Sequence, residues 1–165
     1  MAKNIGRFNY YVGAVFAQLY QAFPVKIQVD MPAIIGCTES DETYASGFWT
    51  GRYLSTERGI VEDFTEEFEC LRATMLWLHE TGYLLGRVGA TSGGFEGVVT
   101  LSPKALELLK VIPAALADEA ESRSFGDALI DAVNGAAVDK VGELAGDALS
   151  YLYKFGMESV TNLAG

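Results

Sequence analysis

Phe64-Thr65-Glu66-Glu67-Phe68-Glu69-Cys70-Leu71-Arg72-Ala73-Thr74-Met75-Leu76-Trp77-Leu78-His79-Glu80-Thr81-Gly82-Tyr83-Leu84 carries a complete set of helix signals. Phe64, Phe68, Leu71, Met75 and Leu78 recur at alternating steps of four and three, the period of one helix face. Thr65 can cap that helix, Glu66 and Glu67 complement the positive end of its dipole, and Gly82 suits the left-handed position just past its end. A helix over about 65–81 is expected. Tyr83–Val88 and Phe95–Leu101 follow as extended runs joined by the Gly-rich segment 89–94, the pattern of a β-hairpin with a flexible tip. Ser102-Pro103 then opens another helix, with Ser at the cap and Pro at the first position, carrying Leu106, Leu108 and Leu109 to about Ile112-Pro113.

On the N-terminal side, Phe8, Val12, Val15, Leu19 and Phe23 fall on one helical face and predict a helix over about 6–23, ended by Pro24. Lys3 and Arg7 before the apolar run 8–17 also allow a signal peptide, but the spacing favours an amphipathic helix. Val25–Asp30 alternates apolar and polar residues as a half-buried strand does. Asp30-Met31-Pro32 reads as the start of a short helix, Pro32–Gly36. Residues 37–63 read as an acidic insertion. Within it, Phe48–Leu54 fits a strand or part of a helix, and Ser55–Gly59 a polar turn.

Helix, short strand, helix, long helix, hairpin and helix, in that order, resemble a winged helix-turn-helix domain over about residues 8–112. Leu71–Leu84 resembles the recognition helix entering the first wing strand, and Thr100–Leu109 the second wing strand entering the next helix. The resemblance implies an α+β, mostly helical fold, with a winged-helix-like core and a β-hairpin wing. Its first domain is 1–113, with the acidic insertion at about 37–63. Many winged helices bind DNA through the third helix and the wing, which implies DNA contacts at Arg72, Thr74 and Arg87 and a transcriptional regulator as one functional reading. The helix over 65–81 nevertheless carries Glu66, Glu67, Glu69 and Glu80 against Arg72 alone, the wrong sign for a reader of a polyanion.

Residues 114–124 form a polar, acidic connection to a second segment, 114–165. From Phe125 to about Phe155 the positions Leu129, Val133, Ala137, Val141, Leu144, Ala148, Leu152 and Phe155 predict a long amphipathic helix of roughly 45 Å, weakened by Gly135, Gly142 and Gly146. Small residues at steps of four allow a close helix approach. A helix of this length outruns one face of the core. Part of the stripe 133–155 is therefore expected either to fold back at Gly135 or Gly142 onto the chain's own core or to project beyond it. Projection implies a homo-oligomer, most simply a twofold dimer. Its contacts are Val133, Val141, Leu144, Ala148 and Leu152. A membrane-acting helix is the third reading, disfavoured by the acidic side at Asp127, Asp131, Asp139, Glu143 and Asp147.

Composition bounds the function classes. The chain has 165 residues, half of them hydrophobic, and a net charge of −10. That charge opposes nucleic acid and anionic membranes and suits a basic protein partner. The acid is concentrated in 38–69, net −7, and 118–165, net −6. Cys37 and Cys70 match no metal-binding spacing, and their scarcity favours a reducing, cytoplasmic compartment. His79 is the only histidine, and His79-Glu80 does not continue into a metalloprotease motif because position 83 is Tyr. The run 86–97 lacks the Gly-Lys-Ser/Thr ending of a phosphate loop. The expectation is therefore a non-catalytic interaction or assembly module with no cofactor, self-associating through its C-terminal helix.

Overall fold

A computed structural model describes residues 3–91, 94–111 and 123–161, with side chains over 4–90, 95–111 and 123–151. The N-terminal apolar stripe forms the central helix: α1 spans Lys3–Ala22, with Val12, Val15, Phe16 and Leu19 fully buried. The remaining elements are β1 (Ile27–Gln28), α2 (Met31–Ile35), β2 (Cys37–Glu39), β3 (Tyr53–Ser55), β4 (Val61–Glu62), α3 (Thr65–Glu80), β5 (Leu84–Thr91), β6 (Gly94–Leu101), α4 (Pro103–Lys110), α5 (Phe125–Asn134) and α6 (Val138–Thr161). The fold is α+β and dominated by helices, with two antiparallel three-stranded sheets ordered β1-β6-β5 and β2-β3-β4.

Local signals set most boundaries. Asp30 caps α2 by accepting the Ala33 N–H at 3.0 Å, and Gln18 holds Asp30 by exchanging two hydrogen bonds with its backbone. Ser102 caps α4 by accepting the Ala105 N–H at 3.2 Å. Thr65 does not cap α3. Phe64 stands at the cap position, and Asp63 before it accepts the Thr65 N–H at 2.9 Å, the hydrogen bonds from Thr65 holding its carboxyl below the usual range. Gly82, at φ +77°, closes α3 while its N–H and that of Tyr83 donate to the His79 and Leu78 carbonyls. The hairpin strands extend from Leu84↔Leu101 to Thr91↔Gly94, so most of the segment expected as loop is paired strand. The rest of the expected tip, Ser92 and Gly93, lies outside the described residues.

The acidic insertion is a small sheet of its own. Cys37 pairs with Ser55 and Tyr53 with Glu62, so Tyr53 and Leu54, which end the aromatic run, are strand rather than helix, and the strand takes in Ser55 from the expected turn. Thr56 ties the sheet to the end of α2, donating from both its N–H and its hydroxyl to the Gly36 carbonyl. The Tyr53 ring packs on Phe68 of α3 at 4.7 Å.

The expected long C-terminal helix is two helices. The α5 chain reverses at Gly135–Ala137, where Ala136 adopts φ +52°. The Ala136 and Ala137 N–H groups donate to the Val133 and Ala132 carbonyls, a Schellman closure with alanine where glycine is usual. The reversal lets α5 and α6 both pack on α1, so a single buried cluster takes in Val12 and Phe16 together with Phe125, Leu129, Val141 and Leu144. That core continues across the boundary expected at 113/114. Residues 112–122, which hold most of the expected connection, lie outside the described residues.

Candidate functional site

Where α1 meets α6, close contact at one level opens into a groove at the next. Gly13 makes the contact possible: a Cβ there would lie 2.6 Å from Val141 Cγ1 and 2.9 Å from the Val141 carbonyl oxygen. Nearer the start of α1, Gly142 and Gly146 leave space, and a Cβ at Gly146 would come within 3.0 Å of Asn9 Nδ2. Ile5, Gly6, Asn9 and Tyr10 on one side and Val138, Gly142, Gly146 and Leu149 on the other line an open groove of about 1000 Å³. Tyr10 is fixed by donating its hydroxyl to the Ile34 carbonyl at 3.0 Å, and burial pushes its phenol pKa up. Ile5 and Val138, at 51% and 53% exposed, leave apolar surface in water at the mouth.

One rim of the groove is acidic. Asp139, Glu143 and Asp147 line it at steps of four, which sets them on one ridge of α6 about 6 Å apart. All three are exposed, and among the described residues none forms an ion pair. Arg7 also lines the groove, but its guanidinium is committed to α3, 2.5 Å from Glu66 Oε1 and 3.7 Å from Glu67 Oε1.

The structure places three of the five expected oligomer contacts away from a free surface. Val141, Leu144 and Ala148 are 1%, 4% and 0% exposed within the chain's own core, because the reversal at Gly135–Ala137 folds their face onto α1. They are corrected to core residues. Val133 stays partly exposed, and the Leu152 side chain lies outside the described residues. The close approach expected of Gly142 and Gly146 is made, with this chain's own α1 as the neighbour.

The residues implied as DNA contacts also separate. Thr74 is buried on the Leu71–Leu78 side of α3, and its hydroxyl donates to the Cys70 carbonyl at 2.9 Å, so it is corrected to a core residue. Arg87 pairs across the hairpin with Glu96 at 2.8 Å. Arg72 is exposed, its guanidinium 5.7 Å from the Phe68 ring centre and 5.8 Å from that of Phe95. Separately, Trp77 stacks on Tyr83 at 5.9 Å, and Lys104 lies 4.0 Å from the Tyr83 ring centre.

The thiols are poorly placed for nucleophilic work. Burial pushes Cys37 up to about 11 and raises Cys70 as well, and a protonated thiol is a weak nucleophile. Among the described residues no group of three His, Cys, Asp or Glu side chains is placed to hold a metal ion, and no helix is long and apolar enough to cross a membrane.

The α1 wall of the groove was not read from sequence. Gly6 and Gly13, seven apart and so on one side of α1, were the available signal, since small residues on α1 facing small residues on α6 mark a close helix pair. No protein-family model, curated protein or solved structure matches the chain.

Proposed function

We propose that this chain is a non-catalytic protein-interaction module that docks a basic amphipathic helix of a partner protein in the α1–α6 groove. The observation that carries the reading is an acidic ridge, Asp139, Glu143 and Asp147, that meets no cation among the described residues and stands beside apolar surface in a groove of about 1000 Å³. A helix with Lys or Arg at steps of three and four matches that ridge in spacing and sign, while its apolar face covers Ile5, Val138 and Leu149. A second copy is the wrong occupant, since a chain of net charge −10 brings more negative charge to the same rim. The core that presents the groove is winged-helix-like in this reading. The order α1, β1, α2, α3, β5, β6 and the strand order β1-β6-β5 support that assignment.

DNA binding is the less favoured role, because Thr74 is buried, Arg87 is paired and Glu66, Glu69 and Glu80 face outward on α3. A helix laid on a membrane is disfavoured because the apolar face of α5, and that of α6 as far as Ala148, is already packed in the core.

Fluorescence anisotropy with a Leu/Lys amphipathic helix of about 18 residues tests the proposal. The Lys peptide is expected to bind, and a Leu/Glu version of the same pattern is not. Asp139→Lys, Glu143→Lys and Asp147→Lys together are expected to weaken binding by about tenfold or more, with marked salt sensitivity. Equal affinity for both peptides, or an unaltered affinity in the triple variant, contradicts the reading. So does sedimentation showing a dimer that protects the groove.

A further inference from the structure

Five of the six arginines face a carboxylate: Arg7 with Glu66 and Glu67, Arg52 with Glu42, Arg58 with Glu62, Arg87 with Glu96, and Arg123 with Asp131. Arg72 is the exception among the described residues, in a chain whose acids exceed its bases by ten. Its guanidinium is held instead by the faces of Phe68 and Phe95, at 5.7 and 5.8 Å. Ring faces attract a cation without using its N–H donors, so the donor fork stays available. Two clefts, of about 420 and 550 Å³, share Arg72, Tyr53 and Phe68 as lining. The larger is lined besides by Val29, Met31, Pro32 and Phe95, an apolar wall beside the charge.

The geometry points to Arg72 as the anion-binding residue of a ligand site, and we propose that its ligand is a carboxylate carried on an apolar body. The planar fork of an arginine matches a carboxylate with two parallel hydrogen bonds. Phe68, Phe95 and Tyr53 supply aromatic surface for the body. The acids along the clefts set the charge of the ligand. Asp30 lines the larger cleft, and Glu62 and Asp63 line the smaller. Asp30 accepts the Ala33 N–H, Glu62 pairs with Arg58 and Asp63 accepts the Thr65 N–H. A dianionic phosphate meets more repulsion there than a monoanionic carboxylate. The site lies on the α3–hairpin side and is independent of the α1–α6 groove.

NMR titration of the full chain with 3-phenylpropionate, 3-phenylpropionamide and inorganic phosphate tests the assignment. The acid is expected to shift signals of Arg72, Tyr53 and Phe95 saturably. The neutral amide is expected to bind at least about tenfold more weakly, because the charge-assisted pair is lost. Arg72→Gln is expected to remove the preference for the acid, and Arg72→Lys to restore part of it. Arg72 is exposed, so both variants should keep the wild-type circular dichroism. A short peptide ending in a free phenylalanine, beside its C-terminally amidated form, separates the two sources of the same chemistry. Tighter binding of the free-ended peptide than of phenylpropionate assigns a peptide terminus, and the reverse a small organic acid. Equal affinity for acid and amide, stronger binding of phosphate, or a preference for the acid that survives Arg72→Gln overturns the proposal. The acid–amide comparison needs no variant, so the test stands even if a substitution disturbs folding.

Discussion

α3 and α6 are both amphipathic helices with acid on the outer side, and they treat that acid in opposite ways. On α3, Glu66 and Glu67 meet Arg7 across the α1 seam, and the helix closes on Gly82 in the left-handed conformation that glycine adopts without strain. On α6, Asp139, Glu143 and Asp147 meet no cation among the described residues, and the reversal that leads into the helix closes on Ala136 at φ +52°. Local choices agree with one another along α3. At the α5–α6 corner and along the α6 ridge they do not, and departures from local consistency concentrate where a protein meets something else. The comparison separates a half of the molecule built for stability from a seam that leaves charge and apolar surface unanswered.

Reversing the burial at the α6 seam should have the largest effect. Val141→Asp places an uncompensated charge at a side chain that is 1% exposed, and unfolding is expected to become easier by about 3–5 kcal/mol in urea denaturation. If Val141 instead served a surface contact between copies, the same change would leave monomer stability nearly intact.

The α3 seam is read by alkaline pH. Burial pushes the Tyr11 phenol up to about 12, with Cys70 and Glu67 adding to the shift. The group is protonated in both states below about pH 10, so its stabilising effect is complete there. As pH rises toward 12 the unfolded chain ionises first and stability falls, by roughly 2–3 kcal/mol from this group. Denaturation curves at stepped pH should show that fall in the wild type and a smaller one in Tyr11→Phe, where the Cys37 share remains.

Gly13→Ala tests the closeness of α1 to α6. The added methyl meets the Val141 backbone, which cannot move as a side-chain tip does, and a loss of about 1–3 kcal/mol is expected in the same denaturation assay. The smallest effects come from the two helix ends and have opposite signs. Ala136→Gly relieves the left-handed alanine and should stabilise by about 1 kcal/mol, whereas Gly82→Ala creates the same strain and should destabilise by a similar amount. Thermal unfolding of the two variants side by side reads both.

These contrasts also explain what the sequence disclosed. α3, the hairpin, and the caps at Asp30 and Ser102 rest on signals within a few residues of one another, so periodicity and cap chemistry locate them. Thr74 was read as a DNA contact, although its spacing from Leu71 and Leu78 sets it on the buried side of α3. The insertion sheet was hidden because Cys37 finds Ser55 across an irregular acidic stretch that has no alternation of its own. The corner between α5 and α6 was legible in part, as a fold-back at Gly135 or Gly142. Gly135 carries the residue-type signal for a break, but the left-handed residue is the alanine after it. The groove depends on Gly6 and Asn9 meeting Gly142 and Gly146, a pairing between distant parts of the chain that local pattern cannot specify.

The most direct measurement is a methyl NMR map of the full chain on addition of the Leu/Lys amphipathic peptide. Docking in the groove is expected to shift Ile5, Val138 and Leu149 while leaving Leu76 and Leu85, exposed on the α3–hairpin side, unmoved. Shifts at Leu76 and Leu85 with Ile5, Val138 and Leu149 unchanged would place the interacting surface on the other half of the molecule and contradict the assignment of the groove.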